Sequence, residues 1–343
     1  MSGGGVVVEG LVKRFGAFTA LDGVDLTVPE GTVVGLLGPN GAGKTTTINI
    51  LTTLLRPDGG RALVAGHDVV EEAQLVRAMI GLTGQYAAVD EDLTGRENLV
   101  LVGRLSRLAK KQAKERATQL LAAFSLTDAG DRTLKTYSGG MRRRLDLAGS
   151  LMVSPPVLFL DEPTTGLDPR SRLELWDVIT ELRDQGTTIV LTTQYLEEAD
   201  QLAQSIYVID GGRIIAEGTA DVLKAKVGGN VLEITVADRQ DLGSASKVLA
   251  TTFGLDEEDL KVDADLARIQ LPLSTDGAGP TDALRALDEA DLATADFTLR
   301  RPSLDDVFLS LTGHAAKEVA TTGGRPGKPG ARPSASPSSG GPR

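Results

Sequence analysis

The chain has 343 residues, a formal net charge of −11 at pH 7 and no cysteine. This length predicts one large domain plus a smaller one, and the missing thiols exclude disulfides, thiolate metal sites and cysteine catalysis. The acidic balance argues against a nucleic-acid-binding protein, because phosphate contacts need a basic face.

The N-terminus lacks the basic flank and the long apolar core of a signal peptide. No apolar run in the sequence approaches the roughly 18 residues that a membrane-spanning helix needs. We therefore expect a soluble protein that is made in the cytoplasm.

The first strong signal is a glycine-rich loop between a predicted strand (32–37) and a predicted helix (45–55). Glycines let successive backbone N–H groups converge on an anion, and the helix N-terminus adds positive partial charge. In this pattern the lysine, here Lys44, reaches the β- and γ-phosphates, and the hydroxyl of the next residue, Thr45, binds Mg²⁺. A plain glycine-rich turn is the alternative, which the strand–helix context disfavours. The predicted nucleotide contacts are Gly38, Pro39, Asn40, Gly41, Ala42, Gly43, Lys44, Thr45 and Thr46.

Between about residues 86 and 155 the chain changes to helix-forming residues, and Thr94 and Glu97 have capping-box spacing. We interpret this stretch as a helical subdomain inserted into an α/β domain. An arginine run at 142–144 lies on a predicted helix there, and we expect it to form local ion pairs rather than to bind nucleic acid.

Ser138, Gly139 and Gly140 open that predicted helix. A hydroxyl, close backbone approach and a helix N-terminus together suit a second phosphate site. Because a whole helical insert separates the two loops, one chain cannot easily place both on the same γ-phosphate. We therefore expect two chains to face each other head to tail; a serine N-cap after a tight turn is the simpler alternative.

A predicted strand, 157–160, ends in the carboxylates Asp161 and Glu162. Beside the phosphate loop, Asp161 would bind Mg²⁺ directly or through water, and Glu162 would polarise an attacking water. Without the upstream loop, this pattern would equally fit a strand followed by an acidic turn.

In order and spacing, these motifs over about residues 6–220 resemble the ATP-binding cassette of ABC transporters. The resemblance implies an α/β P-loop fold with a mixed sheet, ATP and Mg²⁺ as cofactors, and hydrolysis of ATP within a head-to-tail dimer. It also implies a transmembrane permease subunit as partner, and hence a position at the cytoplasmic face of the membrane. Among single residues, it implies that Phe15 stacks on adenine, that Gln85 belongs to the metal site and relays motion, and that Asp168 contacts nucleotide.

Gln194 stands where that family has a switch histidine. Glutamine can donate an N–H to a phosphate oxygen but cannot take up a proton near neutral pH. We expect slow but real hydrolysis carried by Glu162, Gln194 and Lys44, with no pH inflection from position 194. Tyr137 and Met141, where leucine and glutamine are usual, are further departures from the family pattern.

A narrower resemblance, to the daunorubicin-resistance type of ABC ATPase, is carried by LTTQYLEEAD (191–200), GGRIIAEGT (211–219) and RPSLDDVF (301–308). It implies the energising subunit of an exporter of hydrophobic drugs or lipids that works with a separately encoded membrane protein. An ATP-dependent binding or assembly module with little hydrolysis is the alternative, and a soluble ABC ATPase acting on DNA or ribosomes is a weaker one.

The predicted domains are a cassette over residues 1–228 and a small α+β domain over 229–313. Residues 314–343 are rich in Gly, Pro, Ser and basic side chains, and such a composition cannot bury enough apolar surface to fold. We expect a disordered tail there.

Overall fold

The computed structural model describes residues 5–84, 89–226, 230–257, 260–273, 278–300, 303–304 and 306–308. Its first part alternates strands and helices, as the sequence predicted for an α/β domain. In chain order the elements are β1 (Val6–Phe15), β2 (Phe18–Val28), β3 (Val33–Leu37), α1 (Lys44–Leu51), β4 (Gly59–Val64), β5 (His67–Asp68), α2 (Ala73–Met79), β6 (Ile80–Thr83), α3 (Gly95–Leu105), α4 (Lys110–Ala123), α5 (Gly139–Ser150), β7 (Val157–Asp161), α6 (Pro169–Asp184), β8 (Thr188–Thr193), α7 (Leu196–Leu202), β9 (Ser205–Asp210), β10 (Arg213–Gly218) and α8 (Ala220–Lys226).

Two sheets form the α/β part. The first is antiparallel, in the order β2-β1-β4-β5, and the second has the order β10-β9-β3-β8-β7-β6. In the second sheet the strands from β9 to β6 are parallel, and β10 pairs antiparallel at the edge. Every residue of β3, β7 and β8 is buried, which is why these strands read as continuous apolar runs.

The register of the central strands fixes the position of the predicted motifs. Leu37 pairs with Thr193, and Asp161 pairs with Thr192. The residues that follow β3, β7 and β8 therefore share one edge of the sheet, the edge at which open α/β sheets bind ligands.

The helical stretch lies beside this sheet. Thr94 and Glu97 cap α3 reciprocally, as the capping-box spacing predicted. Tyr137 is buried, and its hydroxyl donates a 2.7 Å hydrogen bond to the carbonyl of Ala129. The tyrosine that departs from the family pattern is thus an internal anchor of the helical part.

One predicted helix boundary was wrong. The helix expected at 45–55 ends at Leu51, and Thr53 just beyond it has a positive φ of 64°, which no α-helix accommodates. The serine–glycine motif does open a helix, as expected: α5 begins at Gly139, and the Ser138 hydroxyl caps it.

After residue 230 the elements are β11 (Val231–Val236), α9 (Leu242–Phe253), β12 (Lys261–Asp263), β13 (Arg268–Pro272), α10 (Pro280–Glu289) and β14 (Thr294–Arg300). They form an antiparallel sheet in the order β12-β13-β11-β14 with the split β-α-β topology. Its core joins the inward residues of β11 and β13 to α9 and α10, including Ile234, Leu249, Ile269 and Leu287.

The chain then returns to the α/β part. Leu304 and Val307 are buried in one cluster with Leu37, Ile206 and Leu223. The domain limits at 228 and 313 stay predictions, and the predicted tail at 314–343 lies outside the described residues. Within the described ranges, no helix is both long and apolar enough to cross a membrane.

Candidate functional site

A cleft of about 730 Å³ opens at the carboxyl edge of the parallel strands. It collects most of the predicted residues of the glycine loop, together with Phe15, Glu162 and Gln194, and adds three that sequence reasoning missed, Phe18, Ala20 and Thr165. The residues lining it are Phe15, Phe18, Ala20, Pro39, Asn40, Gly41, Gly43, Lys44, Thr45, Thr46, Glu162, Thr165 and Gln194.

The glycine loop has the shape of an anion cradle. Gly43 precedes α1 with φ of 113°, and a Cβ there would lie 2.7 Å from Leu21 Cδ2. At Gly38 a Cβ would lie 2.2 Å from the carbonyl oxygen of Ile209. No side chain of the described residues caps α1, so the first N–H groups of this helix are left to bind an anion.

Lys44 is a buried cation at the floor of the cleft. Its Nζ donates to the carbonyls of Gly38 at 2.8 Å and Pro39 at 3.2 Å, and it lies 3.6 Å from Glu162 Oε1. Burial lowers the pKa of the Lys44 ammonium, and the nearby carboxylates of Glu162 and Asp161 oppose that shift. A desolvated ammonium held by carbonyls and one carboxylate suits a polyphosphate, which offers it further negative oxygens.

Thr45 and Asp161 form the predicted metal position. Thr45 Oγ1 lies 3.4 Å from Asp161 Oδ1, and Thr192 Oγ1 donates to the same carboxylate oxygen. Oxygen ligands from one carboxylate and one hydroxyl fit Mg²⁺, which usually keeps several waters and takes further oxygens from substrate phosphates. Sequence reasoning missed Thr192, because its importance comes only from the pairing of β8 with β7.

Glu162 is held in an uncommon backbone conformation. Its φ is 48°, in the left-handed region that non-glycine residues seldom adopt. Its N–H donates to the carbonyl and to the hydroxyl of Thr192, both at 3.1 Å, and Thr165 Oγ1 donates to Glu162 Oε2 at 3.3 Å. This conformation aims the carboxylate into the cleft instead of along the strand, and backbone strain of this kind clusters at functional sites.

Two further predicted residues stand at the rim. Gln194 directly follows β8, and its exposed side chain lines the cleft. Phe15 is 49% exposed, with the Lys13 ammonium 5.6 Å from its ring centre. Phe18 lines the same cleft and pairs with Phe15 across the β1–β2 hairpin.

The serine–glycine motif does not line this cleft. Ser138 and Gly139 are exposed at the start of α5, where the Ser138 hydroxyl accepts from the N–H of Met141 at 3.3 Å. Gly140 is buried, and a Cβ there would lie 2.4 Å from Ser171 Oγ. Asp168 accepts from both the N–H and the hydroxyl of Ser171, so its loop is fixed beside the motif.

Ala42 is buried within the glycine loop itself. Gln85 lies outside the described residues. The arginine run forms the local ion pairs that were predicted: Arg142 with Glu91 at 2.7 Å, Arg143 with Asp146 at 3.7 Å and Arg144 with Glu174 at 2.8 Å.

Comparison with known proteins agrees with this geometry. A family model described as ABC transporter matches residues 21–165. The daunorubicin resistance ATP-binding protein DrrA2 of Streptomyces coeruleorubidus is 56% identical over 93% of this chain and 100% of its own length. The doxorubicin resistance ATP-binding protein DrrA of Mycobacterium tuberculosis is 50% identical over 90% of this chain and 93% of its own length. A Nod factor export ATP-binding protein I of Ralstonia nicotianae is 38% identical over 91% of this chain and 94% of its own.

Solved structures share the cassette. An ATP-binding subunit of an ABC transporter superimposes with a TM-score of 0.59 and 28% identity over 64% of this chain and 92% of its own. A dimeric ATP-binding cassette bound to ADP and phosphate, in a post-hydrolysis state, gives a TM-score of 0.57 and 25% identity over 62% of this chain and 98% of its own. The predicted P-loop cassette fold is thereby confirmed. The chain belongs to the family of ABC transporter ATP-binding proteins that includes the daunorubicin resistance ATP-binding proteins, and it is an ATPase.

Proposed function

We propose that this chain is the ATP-hydrolysing subunit of a two-component exporter, which drives a hydrophobic drug, antibiotic or lipid through a separately encoded membrane subunit. One observation carries the proposal. The similarity to the daunorubicin resistance protein spans 93% of this chain, whereas the solved cassette covers 64% of it. The part after the cassette is therefore shared with drug-resistance proteins and also with a Nod factor export protein, and the higher identity to the former, 56% against 38%, argues for the drug-resistance branch of the family.

The cleft supplies the binding half of the chemistry. The N–H groups of the glycine loop and the Lys44 ammonium would bind the β- and γ-phosphates of ATP. Thr45 and Asp161 would hold Mg²⁺, with Gln85 as a further predicted ligand. When bound, the metal ion neutralises charge on the phosphate oxygens.

Glu162 and Gln194 supply the reactive half. The Glu162 carboxylate faces the cleft and is the base that would orient and polarise the attacking water. Because Lys44 lies 3.6 Å from this carboxylate, a triphosphate would compete for the same ammonium and loosen its hold on Glu162. Gln194 would donate its amide N–H to the γ-phosphate and leave proton uptake to Glu162.

The second phosphate site requires a second copy. Ser138 and Gly139 are exposed at a helix N-terminus and lie outside the cleft of their own chain. In a head-to-tail dimer, Ser138 and Gly139 would contact the ATP held by the partner copy, and Asp168 would lie at the interface between the two copies. A dimeric relative with bound ADP and phosphate supports such a pairing.

The membrane partner and the location follow from the same family. Exposed apolar side chains of the helical part, such as Leu101 and Leu105, offer a surface for a permease at the cytoplasmic face of the membrane. The family resemblance implies that Gln85 relays motion to that permease. The 730 Å³ cleft is assigned to ATP, and the transported compound would be bound by the membrane subunit.

The test is reconstitution with the separately encoded membrane subunit that the proposal requires. The pair should co-purify, ATP hydrolysis should rise when a transported anthracycline is added, and inverted vesicles should take up daunorubicin with ATP. The Glu162→Gln variant should assemble without uptake. Co-purification with ATP binding but neither hydrolysis nor uptake would favour the binding or assembly module instead.

A further inference from the structure

One arginine of α5, Arg143, is buried behind β7, the strand that ends at Asp161. It is 7% exposed, and its guanidinium donates to main-chain carbonyls of two other segments. The four bonds run from Nε to Pro163 O at 2.7 Å, from one terminal nitrogen to Gly84 O at 2.5 Å, and from the other to Asp161 O and Glu162 O, each at 3.1 Å.

These acceptors all belong to the catalytic machinery. Asp161 and Glu162 are the metal ligand and the base, and Pro163 continues the turn that aims Glu162. Gly84 directly follows β6 and immediately precedes Gln85, which the resemblance assigns to the metal site. A single side chain of α5 therefore contacts the backbone of two segments, the turn from Asp161 to Pro163 and the residue after β6.

Burying this charge is not explained by ion pairing alone. Its carboxylate partner, Asp146, is 3.7 Å away on the same helix, and burial lowers the pKa of the Arg143 guanidinium. The planar guanidinium of arginine carries several N–H donors that can reach all four carbonyl oxygens at once. A lysine or a glutamine has fewer donors in a different geometry and could satisfy these carbonyls only in part. The guanidinium of Arg143 is therefore held mainly by hydrogen bonds to carbonyl oxygens and less by an opposite charge.

The turn at Glu162 needs such a support. Its left-handed backbone is held from one side by Thr192, through bonds to the Glu162 N–H. Arg143 holds the opposite, carbonyl side of Asp161, Glu162 and Pro163. Residues in uncommon backbone regions persist only where their surroundings enforce them.

We infer that Arg143 is a positioning residue that connects α5 to the turn at Glu162. Movement of α5 as it closes on the ATP of the partner copy would then orient the base over this chain's own ATP. The link between the two sites rests on the proposed dimer, whereas the support of Glu162 does not.

The test compares Arg143→Gln and Arg143→Lys with a matched control, Arg116→Gln, in the purified full-length chain. Arg116 also donates to a main-chain carbonyl after α5, Leu151 O at 3.0 Å, but lies away from the cleft. We expect Arg143→Gln to lower kcat by about 10²-fold with KM for ATP within about twofold, the loss typical of a misplaced catalytic group. Arg143→Lys should recover about tenfold of that loss, and Arg116→Gln should keep wild-type kcat despite a lower Tm.

A double variant separates positioning from mere stability. In a Glu162→Gln background, adding Arg143→Gln should lower the residual hydrolysis by less than about twofold, because residues that act through one group are not additive. Additive losses would overturn the inference. So would a kcat equal to that of Arg116→Gln, a KM that rises as much as kcat falls, or failure of both Arg143 variants to give folded, ATP-binding protein.

Failure of the proposed function would look different. If the wild-type chain did not hydrolyse ATP, or if Glu162→Gln hydrolysed it as fast, the role of Glu162 itself would fall, whatever the Arg143 variants did.

Discussion

The two predicted phosphate-binding regions of this chain are built in opposite ways. Around the glycine loop, Lys44, Asp161 and Glu162 are 5%, 4% and 9% exposed, and each contacts groups of its own chain. Around the serine–glycine motif, Ser138 and Gly139 are exposed at the N-terminus of α5, and the Ser138 hydroxyl accepts from the N–H of Met141.

The difference follows from the cost of burying charge. A desolvated ammonium and two carboxylates are tolerable only where partners are fixed in advance, so the first region is assembled inside the chain. A neutral hydroxyl and a helix N-terminus are well solvated and can stay open until a phosphate arrives. In the proposed dimer the first region would therefore bind nucleotide alone, and the second would act only when another copy brings one.

The largest expected effect tests the buried region. Glu162→Gln keeps the shape and the hydrogen bond from Thr165 but removes the base, so kcat should fall by about 10²–10⁴-fold. ATP binding should persist, since Lys44 and the loop are intact, and the ATP-bound dimer should accumulate in size-exclusion chromatography. The control is Glu115→Gln on the surface of α4, where the ion pair with Lys111 is 4.0 Å long. Unimpaired turnover in Glu162→Gln would remove Glu162 from its role.

The next effect tests the open region. Ser138→Arg places a bulky side chain where the partner's γ-phosphate would sit, and hydrolysis should fall roughly 10²–10³-fold, as when a transition-state donor is lost. Nucleotide binding by the single chain, followed with a fluorescent ATP analogue, should not change. Thr94→Arg is the matched control, because Thr94 caps α3 through the same type of bond, 3.2 Å from the N–H of Glu97. Equal hydrolysis in the two variants would contradict a composite site.

Much of the buried region was readable in the sequence, for a physical reason. Continuous apolar runs mark the parallel strands β3, β7 and β8, and the residues after such strands must meet at one edge. The glycine loop and Asp161 could therefore be placed together before any coordinates were known, whereas Gln194 was assigned from the family resemblance. Local capping chemistry fixed the start of α3 in the same way.

What sequence could not reveal depends on packing between elements. Three consecutive arginines, 142–144, are alike in the sequence, but successive helix residues point about 100° apart, so only Arg143 turns inward to the catalytic strand. Thr192 gains its role from its strand partner, Asp161. Phe18 is brought to the cleft by the hairpin that pairs it with Phe15.

A smaller effect is expected at Gln194, which lies at the rim of the cleft. Gln194→Ala removes one amide donor to the γ-phosphate, and loss of a hydrogen bond to a charged group predicts about a tenfold lower kcat. Because glutamine does not titrate, the wild-type rate should show no inflection from this position between about pH 5.5 and 7.5. Gln194→His should introduce one. Hydrolysis at the wild-type rate in Gln194→Ala would show that position 194 is not the switch.

The smallest effect concerns the adenine. Phe15 and Phe18 face the cleft as a cross-strand pair and are 49% and 61% exposed, so either ring offers a stacking surface. Phe15 is the less exposed ring, and the Lys13 ammonium lies over one of its faces, so the other face is left for adenine. Phe15→Ala should raise KM for ATP about fivefold, the size of one exposed aromatic contact, with kcat unchanged. Phe18→Ala should raise KM less; a larger rise there would move the adenine to Phe18 and overturn the family-based assignment of Phe15.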